Sequence, residues 1–182
     1  MRSMILWLLA TGSVFSVPEN AQLSLTDRSP VSLRGLWEFS DGQSRRLLRV
    51  DKEWRLQGVE KVSKARFTLG VMIPRELRNG DFGLILPPVS AAVRIFLNDK
   101  LIAEKGLVDA RFRYPQNSSE AFSWYPIKLE SLAAAERQSL TLEITGFQEG
   151  GGVYGNAHIY LGGIDEIKSK YNFIFLTTAF IA

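Results

Sequence analysis

The chain contains no cysteine among its 182 residues. That excludes disulfide bonds and thiolate metal centres and leaves the fold dependent on a hydrophobic core. Histidine is nearly as scarce. His158 is the single one, so a site of three histidines is excluded and a Ser-His-Asp triad would have to use that residue. A large excess of charge of one sign is missing too. Lys and Arg number 22 against 19 for Asp and Glu, and the clusters Arg45-Arg46 and Arg111/Arg113 are too small for a nucleic-acid track. With no zinc-finger, helix-turn-helix or RNA-binding signature, nucleic acid is not an expected partner. Gly150-Gly151-Gly152 lacks the Lys-Ser/Thr ending of a phosphate-binding loop and reads as a turn. Internal repeats and low-complexity segments are absent. No metal and no cofactor is expected.

What is present is a globular composition, 46% hydrophobic and 23% charged, in a chain long enough for one domain with a real core. Period-two alternation recurs through the middle. Leu33, Gly35, Trp37 and Phe39 share one face, with Arg34 and Glu38 on the other, so Trp37 is expected inside. Phe67, Leu69, Val71 and Ile73 alternate with Arg66, Thr68, Gly70 and Met72, and Pro74 ends the run. Gly83-Leu84-Ile85-Leu86, closed by Pro87-Pro88, reads as a buried strand. Ala91, Val93, Ile95 and Leu97 lead into an Asn98-Asp99 hairpin turn and then Lys100-Leu101-Ile102-Ala103. Leu140, Leu142 and Ile144, then Ile159 and Leu161, supply further strands. Helical signal is thin: residues 129–137, with Ser131 as a cap, have room for two turns, and the stretch from Ile164 onward is the other candidate. The expectation is an all-β fold of roughly eight strands, an antiparallel β-sandwich of the jelly-roll kind.

The two ends differ from the middle. Arg2 precedes the apolar stretch Met4-Ile5-Leu6-Trp7-Leu8-Leu9-Ala10, the layout of a secretory signal peptide over residues 1–16. Residues 17–32 form a polar lead-in to the domain at 33–170. Residues 171–182 run into Phe173-Ile174-Phe175-Leu176-Thr177-Thr178-Ala179-Phe180-Ile181-Ala182 without a charge. This is read as the start of a truncated transmembrane helix, and a last buried strand is the alternative.

No catalytic constellation emerges. Glu38, Asp51, Glu143 and Asp165 are scattered, and nothing selects a pair for glycoside hydrolysis. His158, opposite in phase to Ile159 and Leu161, reads as a polar residue on a solvent-facing strand position. The better candidates are for binding. Arg111 and Arg113 lie in a donor-rich loop leading to Phe122-Ser123-Trp124-Tyr125-Pro126-Ile127. If Ile127 points into the core, Tyr125 does so as well and Trp124 points outward, unless Pro126 breaks the alternation. An outward Trp124 beside Arg111 and Arg113 suits stacking on a sugar ring or planar ligand, with guanidinium groups on hydroxyls or a carboxylate. The alternative is that Trp124 closes the end of the sandwich and the arginines are solvated.

The strand Leu33-Arg34-Gly35-Leu36-Trp37-Glu38-Phe39 resembles the opening strand of galactose-binding-like jelly rolls, including noncatalytic sugar-binding domains of some glycoside hydrolases. Trp54 and Gly58 stand where such domains carry a Trp and then a Gly. Residues 82–106, Phe-Gly-Leu-Ile-Leu-Pro-Pro-Val-Ser-Ala-Ala-Val-Arg-Ile-Phe-Leu-Asn-Asp-Lys-Leu-Ile-Ala-Glu-Lys-Gly, are similar to the core of the extracellular sensor domain of bacterial seven-transmembrane receptors with diverse intracellular signalling modules. Two departures stand out: Asn98-Asp99 replaces the commoner Asn-Gly, and the sequence carries neither a complete membrane bundle nor an output module. The resemblance implies a noncatalytic, ligand-sensing jelly roll on the periplasmic or extracellular side of a bacterial inner membrane. Its ligand would be a carbohydrate or small polar molecule, its membrane contact the C-terminal tail, and a homodimer is compatible with it. The competing expectations are a noncatalytic carbohydrate-binding domain of an exported glycoside hydrolase and a structural or adhesive β domain.

Overall fold

A computed structural model describes residues 21–52, 54–59, 64–87, 92–106, 123–128, 130, 132–145 and 158–179. The expected signal segment, residues 1–16, and the Gly150-Gly151-Gly152 turn lie outside them. The strands are β1 (Gln22–Ser24), β2 (Val31–Ser32), β3 (Leu36–Ser40), β4 (Arg45–Arg49), β5 (Lys64–Met72), β6 (Phe82–Leu86), β7 (Ala92–Leu97), β8 (Lys100–Lys105), β9 (Ser123–Ile127), β10 (Arg137–Thr145) and β11 (Tyr160–Gly163), followed by helix α1 (Ile164–Ala179). One sheet runs β4-β3-β5-β10-β7-β8, with β1 also paired to β5, and the other β2-β11-β6-β9. All pairings among them are antiparallel except that of β1 with β5. The architecture is the expected all-β sandwich.

The two-residue period explains the core. Trp37 and Phe39 of β3, Phe67, Leu69 and Val71 of β5, Val93, Ile95 and Leu97 of β7, and Leu140, Leu142 and Ile144 of β10 point inward from the larger sheet. They meet Phe82, Leu84 and Leu86 of β6, Ile127 of β9 and Leu161 of β11. Phe39, Trp54 and Phe67 form an aromatic cluster with ring centres 5.0–6.4 Å apart. A void of about 10 Å³ between the sheets, lined by apolar residues such as Val71, Phe82 and Leu140, holds no more than one water, so this interior space is not a ligand pocket.

Local chemistry sets the connections. Asn98 and Asp99 adopt φ of 50° and 65°, the left-handed pair that a tight β7–β8 turn requires. The Asn98 side chain accepts a hydrogen bond from the Ser139 amide at 2.9 Å. The expected helix at 129–137 does not form in the described residues there. The Arg78 guanidinium donates to the carbonyls of Ala133, Ala134 and Ala135 at 3.1, 2.9 and 2.8 Å, and the buried Gln138 amide donates to those of Ala133 and Ala135. Arg78, remote in the chain, and the neighbouring Gln138 thus hold these carbonyls in a non-helical loop, and Arg137 already begins β10.

The outer face of the larger sheet is charged but internally neutralised. Glu143, 3% exposed, lies 3.1 Å from Lys64 and 3.0 Å from Arg66, and Arg94 reaches Glu104 at 2.6 Å. The outer face of the smaller sheet is different, because α1 lies across it. The apolar run in β6 is therefore buried on both sides, as its lack of alternation requires. The tail is helical over Ile164–Ala179, and among the described residues no helix is long and apolar enough to cross a membrane.

Candidate functional site

β9 settles which way Trp124 points. Its register pairs Tyr125 with Leu84 and Trp124 with Ile85 of β6, and Tyr125 packs on the core together with Ile127. Trp124 therefore lies on the outer face, as the alternation predicts. Pro126 does not reverse it, because β9 ends its sheet and an edge strand tolerates a residue without an amide hydrogen. The register also joins Tyr160 of β11 to Ile85, and Ser32 of β2 to Tyr160. The outer face thus carries one row, Ser32, Tyr160, Ile85 and Trp124, across all four strands.

Helix α1 crosses this row. Ile167 is fully buried over Gly83, where an added Cβ would sit 2.7 Å from the isoleucine Cγ2. A glycine in β6 is what lets the helix approach. On one side of the helix Lys168 places its ammonium 5.6 Å from the centre of the Trp124 ring, and on the other Lys170 sits 4.2 Å from the centre of Tyr160. Both are cation–π contacts. Trp124 is half-buried under this cover rather than fully free. Beyond Ile167 the helix presents Phe173 and Leu176 to solvent, 67% and 55% exposed.

The helix start is fixed by Arg28, a residue that reads as part of the polar lead-in. Its guanidinium donates to the Leu77 and Asp81 carbonyls at 2.9 and 2.5 Å and stacks 4.7 Å from the centre of Phe82. Its own carbonyl accepts the Gly163 amide at 2.7 Å, and the Asp81 carbonyl accepts that of Ile164 at 3.1 Å. No sequence pattern marks this role, since every partner is remote in the chain.

The other sequence candidates divide plainly. Arg111 and Arg113 lie outside the described residues. His158 is not a simple solvent-facing residue: it is half-buried, its ring centre lies 6.0 Å from that of Tyr160, and its Nδ1 is buried without a hydrogen-bond partner. Burial holds its pKa below the usual 6.5, with Arg34 and Lys170 adding to the shift and Asp51 opposing it. Each of the four scattered carboxylates faces a cation. Glu38 faces Arg45, Asp51 faces Arg49, Glu143 faces Lys64 and Arg66, and Asp165 faces Lys168. Among the described residues no group of His, Asp and Glu is placed to hold a metal ion.

No protein-family model and no curated protein sequence matches the chain. Solved structures do. The sandwich superposes on a family 2 glycoside hydrolase from Bacteroides cellulosilyticus with a TM-score of 0.55 at 12% identity, covering 73% of this chain and 20% of that one. A family 2 β-galacturonidase from Eisenbergiella tayi, bound to galacturonate, gives 0.52 at 13%, covering 75% and 24%. A β-D-glucuronidase from Dictyoglomus thermophilum gives 0.52 at 9%, covering 79% and 30%. The chain thus spans under a third of the length of these enzymes, and at such identity the likeness is one of fold. What the chain shares with parts of these family 2 glycoside hydrolases is a β-sandwich fold.

Proposed function

We propose that the chain is a noncatalytic sensing domain for a carbohydrate or small polar molecule, acting outside the inner membrane as part of a bacterial signalling receptor. The observation that carries this reading is the contact between Trp124 and α1. A ligand stacking on the indole must displace or reposition Lys168, so occupancy of the outer face and the position of the helix are one equilibrium. The exposed Phe173 and Leu176 further along that helix suit a partner surface or a membrane boundary. Arg111 and Arg113, which precede β9 in the chain, are the proposed donors to ligand hydroxyls or a carboxylate. The test is a thermal-shift screen of the chain against sugars, carboxylates and nucleosides, repeated for any hit with Trp124→Ala and Arg111→Ala. The expected result is a loss of affinity of about tenfold or more in each, the equivalent of about 1.4 kcal/mol. A ligand whose affinity is unchanged in both variants, with folding intact, removes the site.

A second reading is favoured by the structural neighbours: a noncatalytic carbohydrate-binding domain of an exported glycoside hydrolase. The two are separated by the helix. Because the chain has no cysteine, Leu176→Cys gives a unique attachment point for an environment-sensitive fluorophore. A signal that changes with ligand supports sensing through α1, and a silent one with intact binding supports the accessory module.

A further inference from the structure

We propose that the corner of the smaller sheet formed by Ser32, Arg34, His158 and Tyr160, closed by Lys170 of α1, binds a small oxyanion, a carboxylate or a phosphate. This goes beyond carbohydrate binding at Trp124 and stands without it. The placement follows from alternation. Val31, Leu33, Ile159 and Leu161 pack toward the core, so Ser32, Arg34, His158 and Tyr160 project from the opposite face. Tyr160 pairs with Ser32, and the Leu33 amide donates to the Ile159 carbonyl at 2.8 Å. One step further, that register sets Arg34 opposite His158. Lys170 completes the corner from above, its ammonium over the Tyr160 ring.

The chemistry of the set is one-sided. Serine and tyrosine hydroxyls, imidazole, guanidinium and ammonium all donate hydrogen bonds, and no carboxylate belongs to the group. The nearest acid, Asp51, just past the end of β4, is already engaged by Arg49 at 2.7 and 3.2 Å and by the Gly35 amide. Two atoms of the corner, Ser32 Oγ and His158 Nδ1, are buried with no partner. Buried polar atoms are nearly always satisfied, and an orphan that persists calls for a bound group. An acceptor-only ligand answers both orphans at once and balances the Arg34 and Lys170 charges, the same charges that push His158 away from protonation. An open groove of about 650 Å³ along α1, whose lining includes Pro30, Ser169 and Lys170, gives solvent access to Lys170. Its acids, Asp165 and Glu166, belong to the first turn of the helix, so the anion is expected on the Arg34 side.

The charged groups facing His158 are Arg34 beside it, Asp51 beyond β4 and Lys170 from α1. A bound anion raises the imidazole pKa, so binding takes up a proton and tightens as pH falls. The test is titration calorimetry of the whole chain at constant ionic strength with acetate, a hexuronate, inorganic phosphate and, as control, the neutral hexose. Binding by acetate and hexuronate identifies a carboxylate site, and binding by phosphate alone a phosphate site. Arg34→Gln and Lys170→Gln are each expected to weaken binding tenfold or more, and Trp124→Ala is measured beside them to separate this corner from the proposed carbohydrate site. Affinity should be higher at pH 6 than at pH 8, and His158→Gln, which keeps a donor, should remove that difference. The proposal is overturned if no oxyanion binds at millimolar concentration. Hexuronate binding no tighter than hexose binding in the Trp124→Ala chain overturns it too, as does binding that survives both charge-removing variants in chains with unchanged circular dichroism. A loss confined to Trp124→Ala assigns the ligand to the other site.

Discussion

Trp37 lies fully buried on β3, and its indole Nε1 donates to the Leu33 carbonyl at 3.0 Å. Trp37→Ala removes a large core aromatic and leaves that carbonyl without its partner. The expected cost is about 3–5 kcal/mol in urea melts, and a loss below about 1 kcal/mol would contradict this packing. Glu143 tests the opposite face of the same sheet. Burial pushes its carboxyl up, but hydrogen bonds from Lys64 and Arg66, together with their charges, outweigh burial and hold the pKa below 4.5. A carboxyl depressed on folding contributes stability that is complete above the unfolded value and is lost as pH falls through the folded one. Glu143→Gln should therefore be less stable than the parent at pH 7, and the gap between their urea midpoints should narrow on acidification. A gap independent of pH would mean that the carboxylate charge is not what holds Glu143 in place.

Between elements, the decisive contacts are made where side chains are missing. A Cβ at Gly83 would press on Ile167, at 2.7 Å from Cγ2 and 2.9 Å from Cβ. Gly83→Ala is expected to lift α1 and speed tryptic cleavage at Lys168 and Lys170, with an overpacking cost of about 1–3 kcal/mol. Ile167→Ala in the same chain removes the contact with Cγ2 and should recover part of the protection, since the contact with Cβ at 2.9 Å remains. Gly162 offers no such remedy: a Cβ there would lie 2.9 Å from the Arg28 carbonyl oxygen and the Pro30 Cα. Gly162→Ala should disrupt the β2–β11 pairing whatever happens to the neighbouring side chains. If the double variant Gly83→Ala/Ile167→Ala is cleaved as fast as Gly83→Ala alone, the helix is held by something other than Ile167.

For the molecule as a whole, the sandwich is a scaffold with one neutralised charged face and one face shared between aromatic residues and a helix. Export is the expectation that governs what either face can meet. An enzyme reporter active only outside the cytoplasm, fused after Gly163, should be active, and activity that fully survives deletion of residues 1–16 would count against export by that segment.

Phe67, Leu69, Val71 and Leu140, Leu142, Ile144 were legible in the sequence because strand periodicity is a local property and every second residue declares its face. The same rule oriented Trp124, and positive φ at Asn98 and Asp99 follows from residue types that tolerate it. β4 escaped notice because it is an edge strand with a single buried leucine, Leu48, among charged neighbours. β6 showed in its apolar run that both faces are covered, but not that α1 does the covering. Residues 133–135 have the composition of a helix, yet Arg78, from a remote stretch, and Gln138 at the start of β10 bind their carbonyls. Ser32, Arg34, His158 and Lys170 lie on three separate stretches, and only the pairing of β2 with β11 and the docking of α1 assemble them. Sequence alone determined most of the strands, much of the core and the sandwich class, since these rest on patterns a few residues long. The tertiary structure decided which residues share a face and which lie under α1, because long-range pairing sets which donors meet and which are left without an acceptor.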